Sequence, residues 1–257
     1  MMILQKHSPA LLHTLGLTKK FGGLTAVDGV EFKLPEGELR AVVGPNGAGK
    51  TTFVNLVVGL LRSDRGQIFF AGNDITSKPP HVRSRIGIGY TFQLTSVFPR
   101  LSVFENVRIP VQSRTLRMFE YLGSVSNDRV ESKVESALHQ VGLEGYAAMQ
   151  ADSLAHGDQR KLELAIAIAL EPRLLILDEP TQGMSETDVK ETISLIHVIS
   201  RNKTILIIEH NMDVVLDLAE TITVFDKGRI IAEGTSSEIE QDQNVIDSYL
   251  GAGWRDR

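Results

Sequence analysis

The chain has 257 residues, of which 42% are hydrophobic and 23% charged, and its formal net charge at pH 7 is −5. This length can bury a large core, the acidic balance argues against a dedicated nucleic-acid-binding protein, and the absence of cysteine excludes a disulfide framework and fits a reducing compartment. No apolar run approaches the roughly 18 residues of a membrane-spanning helix, and the first residues lack the pattern of a signal peptide, so we expect a short N-terminal tail.

Three stretches with different periodicity follow one another along the chain. From Leu11 to Thr76 short strands alternate with turns, which predicts an antiparallel sheet. From Leu101 to Leu170 the pattern is helical, and after Glu171 strands alternate with helices, which predicts crossovers in a mainly parallel sheet. We therefore expect an α/β fold in one domain over 1–257, with a core over about 11–92 and 171–235, a helical subdomain over about 93–170, and a C-terminal helix and tail over 236–257.

Residues 44–52 match the phosphate-loop motif G-x-x-x-x-G-K-[ST] in full. An apolar run over 38–43 predicts a strand before the loop, and 51–61 can form a helix after it. Glycines in such a loop let successive backbone N–H groups point at phosphate oxygens at the helix N-terminus. Lys50 would reach the β- and γ-phosphates, and the Thr51 hydroxyl would ligate Mg²⁺.

The predicted nucleotide-binding residues of this loop are Gly44, Pro45, Asn46, Gly47, Ala48, Gly49, Lys50, Thr51 and Thr52. The fold class is accordingly a P-loop NTPase core with a mainly parallel sheet, an N-terminal antiparallel β subdomain and an inserted helical subdomain.

Two acidic residues end the apolar run that begins at Leu174, at the end of a strand where α/β sheets bind ligands. Asp178 is placed to hold Mg²⁺ and Glu179 to polarise the attacking water as a general base, although an aspartate here can also cap the next helix. His210 follows a later apolar strand and would donate a hydrogen bond to the γ-phosphate, although a histidine after a strand more often begins a helix. Gln93, at the junction of sheet and helical subdomain, gives a weak signal by itself.

These motifs, in this order and together with SLAHGDQRKLEL over 153–164, resemble the ATP-binding subunit of ABC transporters over nearly the whole chain. The family's LSGGQ signature corresponds here to Leu154, Ala155, His156, Gly157 and Asp158, with departures at three positions. The resemblance implies that this segment closes over ATP bound by the opposite subunit. Ala155 lacks the hydroxyl that the usual serine offers the γ-phosphate, so we expect a weaker contact in trans, made by backbone N–H groups and the helix dipole.

The same resemblance assigns three further positions. Phe21 would stack on adenine with Val27 beside it, although a core phenylalanine at the end of a strand fits the spacing equally well. Gln93 would sense Mg²⁺ and the attacking water and touch the membrane subunit, which makes it a catalytic and metal-site residue. The segment from Met184 to Asp188 would cross the dimer interface, although Ser185 and Asp188 also form a plausible capping pair for the next helix.

Within the family, three parts of the sequence are similar to importer subunits for branched-chain amino acids, with urea and short-chain amide importers close behind. They are LTKKFGGLTAVDGV near the start, LAHGDQRKLEL in the middle, and ITVFDKGRIIAEGTSSEI followed by VIDSYLG at the end. The implied cofactors are ATP and Mg²⁺. The implied partners are a second ABC ATPase subunit, in a homo- or heterodimer, two integral membrane permeases and, indirectly, a solute-binding protein, with no nucleic acid. The chain would then lie at the cytoplasmic face of the inner membrane, held by the permeases.

Two other functions are compatible with the family. A soluble ABC-type ATPase without a membrane partner often carries two ATPase units, a long coiled-coil insertion or a basic arm, and none of these is visible in the sequence. An adaptor that binds ATP without hydrolysing it is opposed by the presence of Glu179 and His210.

Overall fold

The computed structural model describes residues 10–91, 97–115 and 127–250, so Gln93 lies outside the described residues. The chain divides into two compact units, the first formed by Met1–Ile86 with Ile196–Arg257 and the second by Gly87–Leu195. Within the described ranges, none of the helices combines the length and apolarity needed to cross a bilayer.

In chain order the strands and helices are β1 (Ala10–Phe21), β2 (Leu24–Pro35), β3 (Leu39–Val43), α1 (Lys50–Val58), β4 (Arg65–Phe70), β5 (Asn73–Asp74), α2 (Pro80–Arg85), β6 (Ile88–Thr91), α3 (Val103–Thr115), α4 (Asn127–Gln140), α5 (His156–Ala169), β7 (Leu174–Asp178), α6 (Glu186–Ser200), β8 (Thr204–Ile208), α7 (Met212–Leu218), β9 (Thr221–Asp226), β10 (Arg229–Gly234), α8 (Ser236–Gln241), α9 (Gln243–Val245) and a last turn over Ile246–Leu250.

The first unit contains the predicted antiparallel sheet. Its strands lie in the order β2-β1-β4-β5, and every pairing between them is antiparallel. Val30, Phe32 and Leu34 of β2 are buried while the residues between them are exposed, which confirms the alternation expected of a half-buried strand. Because one face of the sheet is buried, this alternation also fixes its register.

The phosphate-loop motif follows a second set of strands in the first unit, which lie in the order β10-β9-β3-β8. β3 is buried along its whole length and pairs in parallel with both β8 and β9, whereas β10 is antiparallel to β9. A strand that is buried on both faces reads as a continuous apolar run, as this one does. The predicted strand, loop and helix succession around residues 44–52 is confirmed by β3 and α1.

The second unit contains a strand pair and the predicted helical subdomain. β6 pairs in parallel with β7, and α3, α4 and α5 pack against one another. Val130, Val134 and Leu138 are buried at a spacing of four residues along α4, so one face of this helix forms core. The sequence predicted that the helical subdomain ends at residue 170, whereas the second unit extends to Leu195. The difference arises because β7, which follows the helices, pairs with β6, which precedes them.

Candidate nucleotide-binding site

The phosphate loop passes close to neighbouring backbone at its first and last glycines. Gly44 has φ +144°, and a Cβ added there would lie 2.1 Å from the carbonyl oxygen of Phe225. Gly49 has φ +103°, and a Cβ there would lie 2.2 Å from the carbonyl oxygen of Ala26. Both positions therefore require glycine, for the backbone conformation and for the space.

Hydrogen bonds hold the loop to strands that are distant in sequence. The Gly228 N–H donates to the Ala48 carbonyl over 2.9 Å, and the Asp28 N–H donates to the Gly228 carbonyl over 2.9 Å. The guanidinium of Arg229 donates from Nη2 to the Asp28 carboxylate over 2.7 Å. The loop conformation is thus braced by β2 and by the turn between β9 and β10.

The first turn of α1 begins without a side-chain cap. Gly49 is the N-cap and provides no side-chain hydrogen bond, and no acidic residue occupies the first turn. The buried ammonium of Lys50 donates to the carbonyl oxygens of Gly44 at 2.6 Å and Pro45 at 3.1 Å. With the hydroxyl-bearing Thr51 exposed beside it, the loop presents N–H groups, a cation and a helix N-terminus, which together suit a phosphate chain.

The two residues expected near adenine differ in exposure. Phe21, at the end of β1, is 47% exposed, and the Lys19 ammonium lies 5.5 Å from the centroid of its ring. Val27 is buried in the core of the first unit. Phe21 can therefore offer an aromatic face to a base, whereas the Val27 side chain contributes to packing.

Asp178 ends β7 with its carboxylate buried. The Tyr90 hydroxyl, on the neighbouring strand β6, donates to Asp178 Oδ2 over 2.9 Å. Burial, and next the negative charge of Asp178, raise the pKa of Tyr90 well above its ordinary value, so the hydroxyl keeps the proton that it donates. Tyr90 was not predicted from the sequence, in which it is one of two hydroxyl-bearing residues of β6, beside Thr91.

Glu179 follows in a left-handed backbone conformation, with φ +49°. This conformation costs an L-residue about 1–2 kcal/mol. The next helix, α6, begins only at Glu186, so neither Asp178 nor Glu179 caps it. The alternative interpretation of Asp178 as a helix cap is therefore wrong.

His210 lies in the first unit, at the same end of the sheet as the phosphate loop. β8 pairs in parallel with β3, with Val42 opposite Ile208, so Gly44 and His210 follow neighbouring strands at their carboxyl ends. The His210 side chain is 50% exposed. The cap of α7 is Asn211, whose side chain accepts from the Asp213 N–H, so His210 does not begin that helix.

The signature segment spans the start of α5 in the second unit. Leu154 is buried and Ala155 is the N-cap, with no side-chain hydrogen bond to the first turn. His156, the first residue of the helix, is exposed. The absence of a capping hydroxyl at Ala155, expected from the sequence, thus leaves the first-turn N–H groups of this 14-residue helix without that partner.

The start of α6 lies beside this segment within the second unit. A Cβ added to Gly157 would lie 3.1 Å from Asp188 Oδ1, and Lys161 Nζ lies 3.3 Å from Asp158 Oδ1. The Ser185 hydroxyl donates to Asp188 Oδ2 over 2.8 Å and accepts from the Asp188 N–H over 3.3 Å. Ser185 therefore caps α6 together with Asp188, which was one of the two interpretations of this segment.

Arg83, which was not predicted from the sequence, is a buried residue that supports the helix after the loop. It is 2% exposed, and its Nη1 donates to the carbonyls of Leu56 and Val57 in the last turn of α1, each over 2.6 Å. The same guanidinium donates to the carbonyls of Thr76 and Lys78. Burial lowers the pKa of Arg83 to about 10, so the group remains charged at neutral pH and satisfies the C-terminal carbonyls of α1.

A family model described as ABC transporter matches residues 27–182, which include the phosphate loop, the signature segment and both acidic residues. The chain belongs to this family. It is 36% identical over 253 residues to the high-affinity branched-chain amino acid transport ATP-binding protein LivG of Salmonella typhimurium, covering 95% of this chain and 99% of the relative. It is 34% identical over 249 residues to the lipopolysaccharide export system ATP-binding protein LptB of Escherichia coli, covering 96% and 99%.

The solved structures agree with this assignment. An ATP-binding cassette of an ABC transporter in its ADP conformation superposes with a TM-score of 0.83 at 29% identity, covering 95% of this chain and all of that one. The predicted fold class is confirmed, and the chain is an ATP-binding, ATP-hydrolysing subunit of the ABC transporter family.

Proposed function

We propose that this ABC ATPase powers an importer of branched-chain amino acids. The single observation that carries this choice of solute is the similarity to LivG over nearly the full length of both chains. The solute does not touch an ATPase subunit, so its identity comes from the partners. Two permeases and a solute-binding protein would complete the importer, with the ATPase at the cytoplasmic face of the membrane.

In the proposed mechanism the phosphate loop binds ATP through backbone N–H groups, the Lys50 ammonium and the N-terminus of α1. Phe21 offers its exposed ring to adenine. Glu179 polarises the attacking water, and the His210 imidazole donates a hydrogen bond to the γ-phosphate, so that water and ATP give ADP and phosphate. Gln93 would help to orient the same water.

Oxygen donors of this chain fit Mg²⁺. Thr51, which bears a hydroxyl, is exposed in the first turn of α1. Asp178 ends β7, and its carboxylate accepts a hydrogen bond from the neutral hydroxyl of Tyr90. Hard oxygen ligands of this kind suit Mg²⁺, and Thr51, Asp178 and Gln93, the residues that the family resemblance assigns, would hold the ion. When bound, Mg²⁺ neutralises negative charge on the phosphates.

The proposed working unit contains two ATPase subunits, which are two copies of this chain or this chain with a second ATPase. Each ATP lies between the Lys50 loop of one subunit and the Gly157 segment of the other. ATP binds the closed pair better than the open pair, and this difference in affinity moves the attached permeases.

The chemical part of the proposal is tested by Glu179→Gln, which keeps the shape of the side chain and removes its basicity. We expect ATP turnover to fall at least about 100-fold, the usual contribution of a general base, while ATP affinity changes less than about twofold. The matched control is Glu135→Gln, which makes the same change at an exposed position of α4. Wild-type turnover in Glu179→Gln would contradict the assignment of the base.

The choice of solute is tested with the permeases that co-purify from detergent-solubilised membranes, reconstituted in proteoliposomes that enclose ATP, with the solute-binding protein added outside. We expect accumulation of labelled leucine with the wild-type chain and none with Glu179→Gln. Accumulation of urea or acetamide alone would refute the amino acid and favour the amide importers. If the chain binds ATP but no permease co-purifies with it, the result would favour a soluble ATPase.

A further inference from the structure

The loop that carries His210 is fixed on both sides by its neighbours. The Glu209 N–H donates to the Val42 carbonyl over 3.3 Å, which continues the pairing of β8 with β3. On the other side, Asn211 accepts from the Asp213 N–H over 3.0 Å and so caps α7. The His210 N–H itself donates to Glu209 Oε2 over 3.1 Å, and Glu209 is fully buried.

The C-terminal segment supplies a further restraint on His210. The Tyr249 hydroxyl, in the turn over Ile246–Leu250, donates to the His210 carbonyl oxygen over 2.8 Å, across 39 positions of sequence. This bond acts on the peptide group that directly follows the Cα bearing the half-exposed imidazole. It therefore adds a restraint from the C-terminal segment to those made by Glu209 and by the cap of α7.

The segment that carries Tyr249 is itself anchored to the first unit. Val245 and Ile246 are buried, and the Asp242 carboxylate caps α9 by accepting from the N–H groups of Asn244 at 2.8 Å and Val245 at 3.3 Å. Burial, and next the negative charge of Glu209, raise the pKa of Tyr249 to about 12. The hydroxyl thus keeps its proton at neutral pH and remains a donor.

We propose that Tyr249 is a positioning residue for ATP hydrolysis, which holds the His210 peptide so that the imidazole stays in the orientation used in the reaction. This inference rests on the proposed role of His210. Without the hydroxyl the peptide can rotate, and the imidazole occupies the productive orientation for a smaller fraction of the time. The chemical step then slows, while binding of ATP at the phosphate loop does not change.

The test is Tyr249→Phe, which removes only the hydroxyl. We expect kcat to fall about three- to tenfold, the range of one lost hydrogen bond, with the KM for ATP and the ATP affinity within about twofold of wild type. The control is Tyr146→Phe, at an exposed tyrosine in the second unit, which should leave kcat unchanged. Wild-type kcat in Tyr249→Phe, or a rise in KM alone, would overturn the proposal.

Hydrogen exchange without nucleotide gives a readout that does not depend on turnover. In Tyr249→Phe the amides of His210 and Asp213 should exchange about three- to tenfold faster, whereas those of β9 keep their wild-type rates. Equal exchange in the variant and the wild type at His210 would refute the restraint. Faster exchange throughout the first unit would show a general loss of stability and would equally refute it.

A double-mutant cycle in single-turnover kinetics tests whether Tyr249 acts through His210. Tyr249→Phe should slow the wild-type chain but have no further effect in a His210→Ala background. The same fractional loss in both backgrounds would place its action elsewhere. If His210→Ala hydrolyses ATP at the wild-type rate, the proposed role of His210 fails; if only Tyr249→Phe does so, this inference alone fails.

Discussion

Position 49 requires glycine for two reasons, its positive φ and the close approach of neighbouring backbone, and Gly47 shares only the positive φ. Comparing Gly49→Ala with Gly47→Ala should therefore separate the two reasons. Both glycines have positive φ, +103° at Gly49 and +82° at Gly47. A Cβ at Gly47 would meet nothing within 4 Å, whereas at Gly49 it would lie 2.2 Å from the Ala26 carbonyl oxygen and 3.3 Å from the Gly228 Cα. Gly47→Ala is thus a matched control for backbone strain.

The expected cost follows from these distances. Each variant pays about 1–2 kcal/mol for an L-residue in the left-handed region. To relieve its clash, Gly49→Ala must also shift the backbone held by the bonds from Gly228 to Ala48 and from Asp28 to Gly228, both 2.9 Å long. Two such bonds contribute about 2 kcal/mol together. Gly49→Ala should therefore lose about 3–4 kcal/mol of unfolding free energy, about 2 kcal/mol more than the control.

Urea unfolding and thermal melting of the two variants measure this difference. A loss of 1 kcal/mol lowers the Tm of a chain of this size by about 2–4 °C, so the variants should differ by roughly 4–8 °C. Equilibrium titration should also show at least about tenfold weaker ATP binding by Gly49→Ala, because the displaced loop loses one or more bonds to charged phosphate. Equal stability of the two variants, within about 0.5 kcal/mol, would refute the close approach of Gly49 to Ala26.

Two further substitutions test features of each unit. Arg83→Met should lower the unfolding free energy in urea by about 3–5 kcal/mol, because the buried carbonyls of Leu56 and Val57 lose their charged donor. An effect below about 1 kcal/mol would contradict the role of Arg83 as the cap of α1. Ala155→Ser should tighten the ATP-bound dimer about three- to tenfold in sedimentation experiments on the Glu179→Gln chain, since one hydroxyl is restored at the N-cap of α5. Equal tightening without ATP would show that the serine merely stabilises the helix.

Local patterns in the sequence predicted much of this molecule. The phosphate loop, the strand that ends at Asp178 and the alternation in β2 are each encoded within about a dozen neighbouring residues, where periodicity and glycine spacing are informative. The missed residues act across the chain. Tyr90 reaches Asp178 over 88 positions, Tyr249 reaches His210 over 39, and Arg83 reaches Leu56 over 27. A tyrosine or arginine carries no local signal of such a partner, because tertiary packing alone brings the two together.

Glu179 combines both kinds of information. Its position after an apolar strand and Asp178 predicted a general base, and no sequence pattern predicted its backbone conformation. The structure places it at φ +49°, directly before Pro180, where the steric demands of proline already restrict the preceding residue. Glycine would adopt this conformation at no steric cost, yet the chain has a glutamate there. Strain of this kind persists where the surrounding structure enforces it and clusters at functional sites. Ala71, Glu171 and Lys227 have φ between +46° and +48° as well, so a strained backbone does not by itself mark a functional residue. The proposed role of Glu179 therefore rests on its position after Asp178, and Glu179→Gln tests that role without altering the backbone strain.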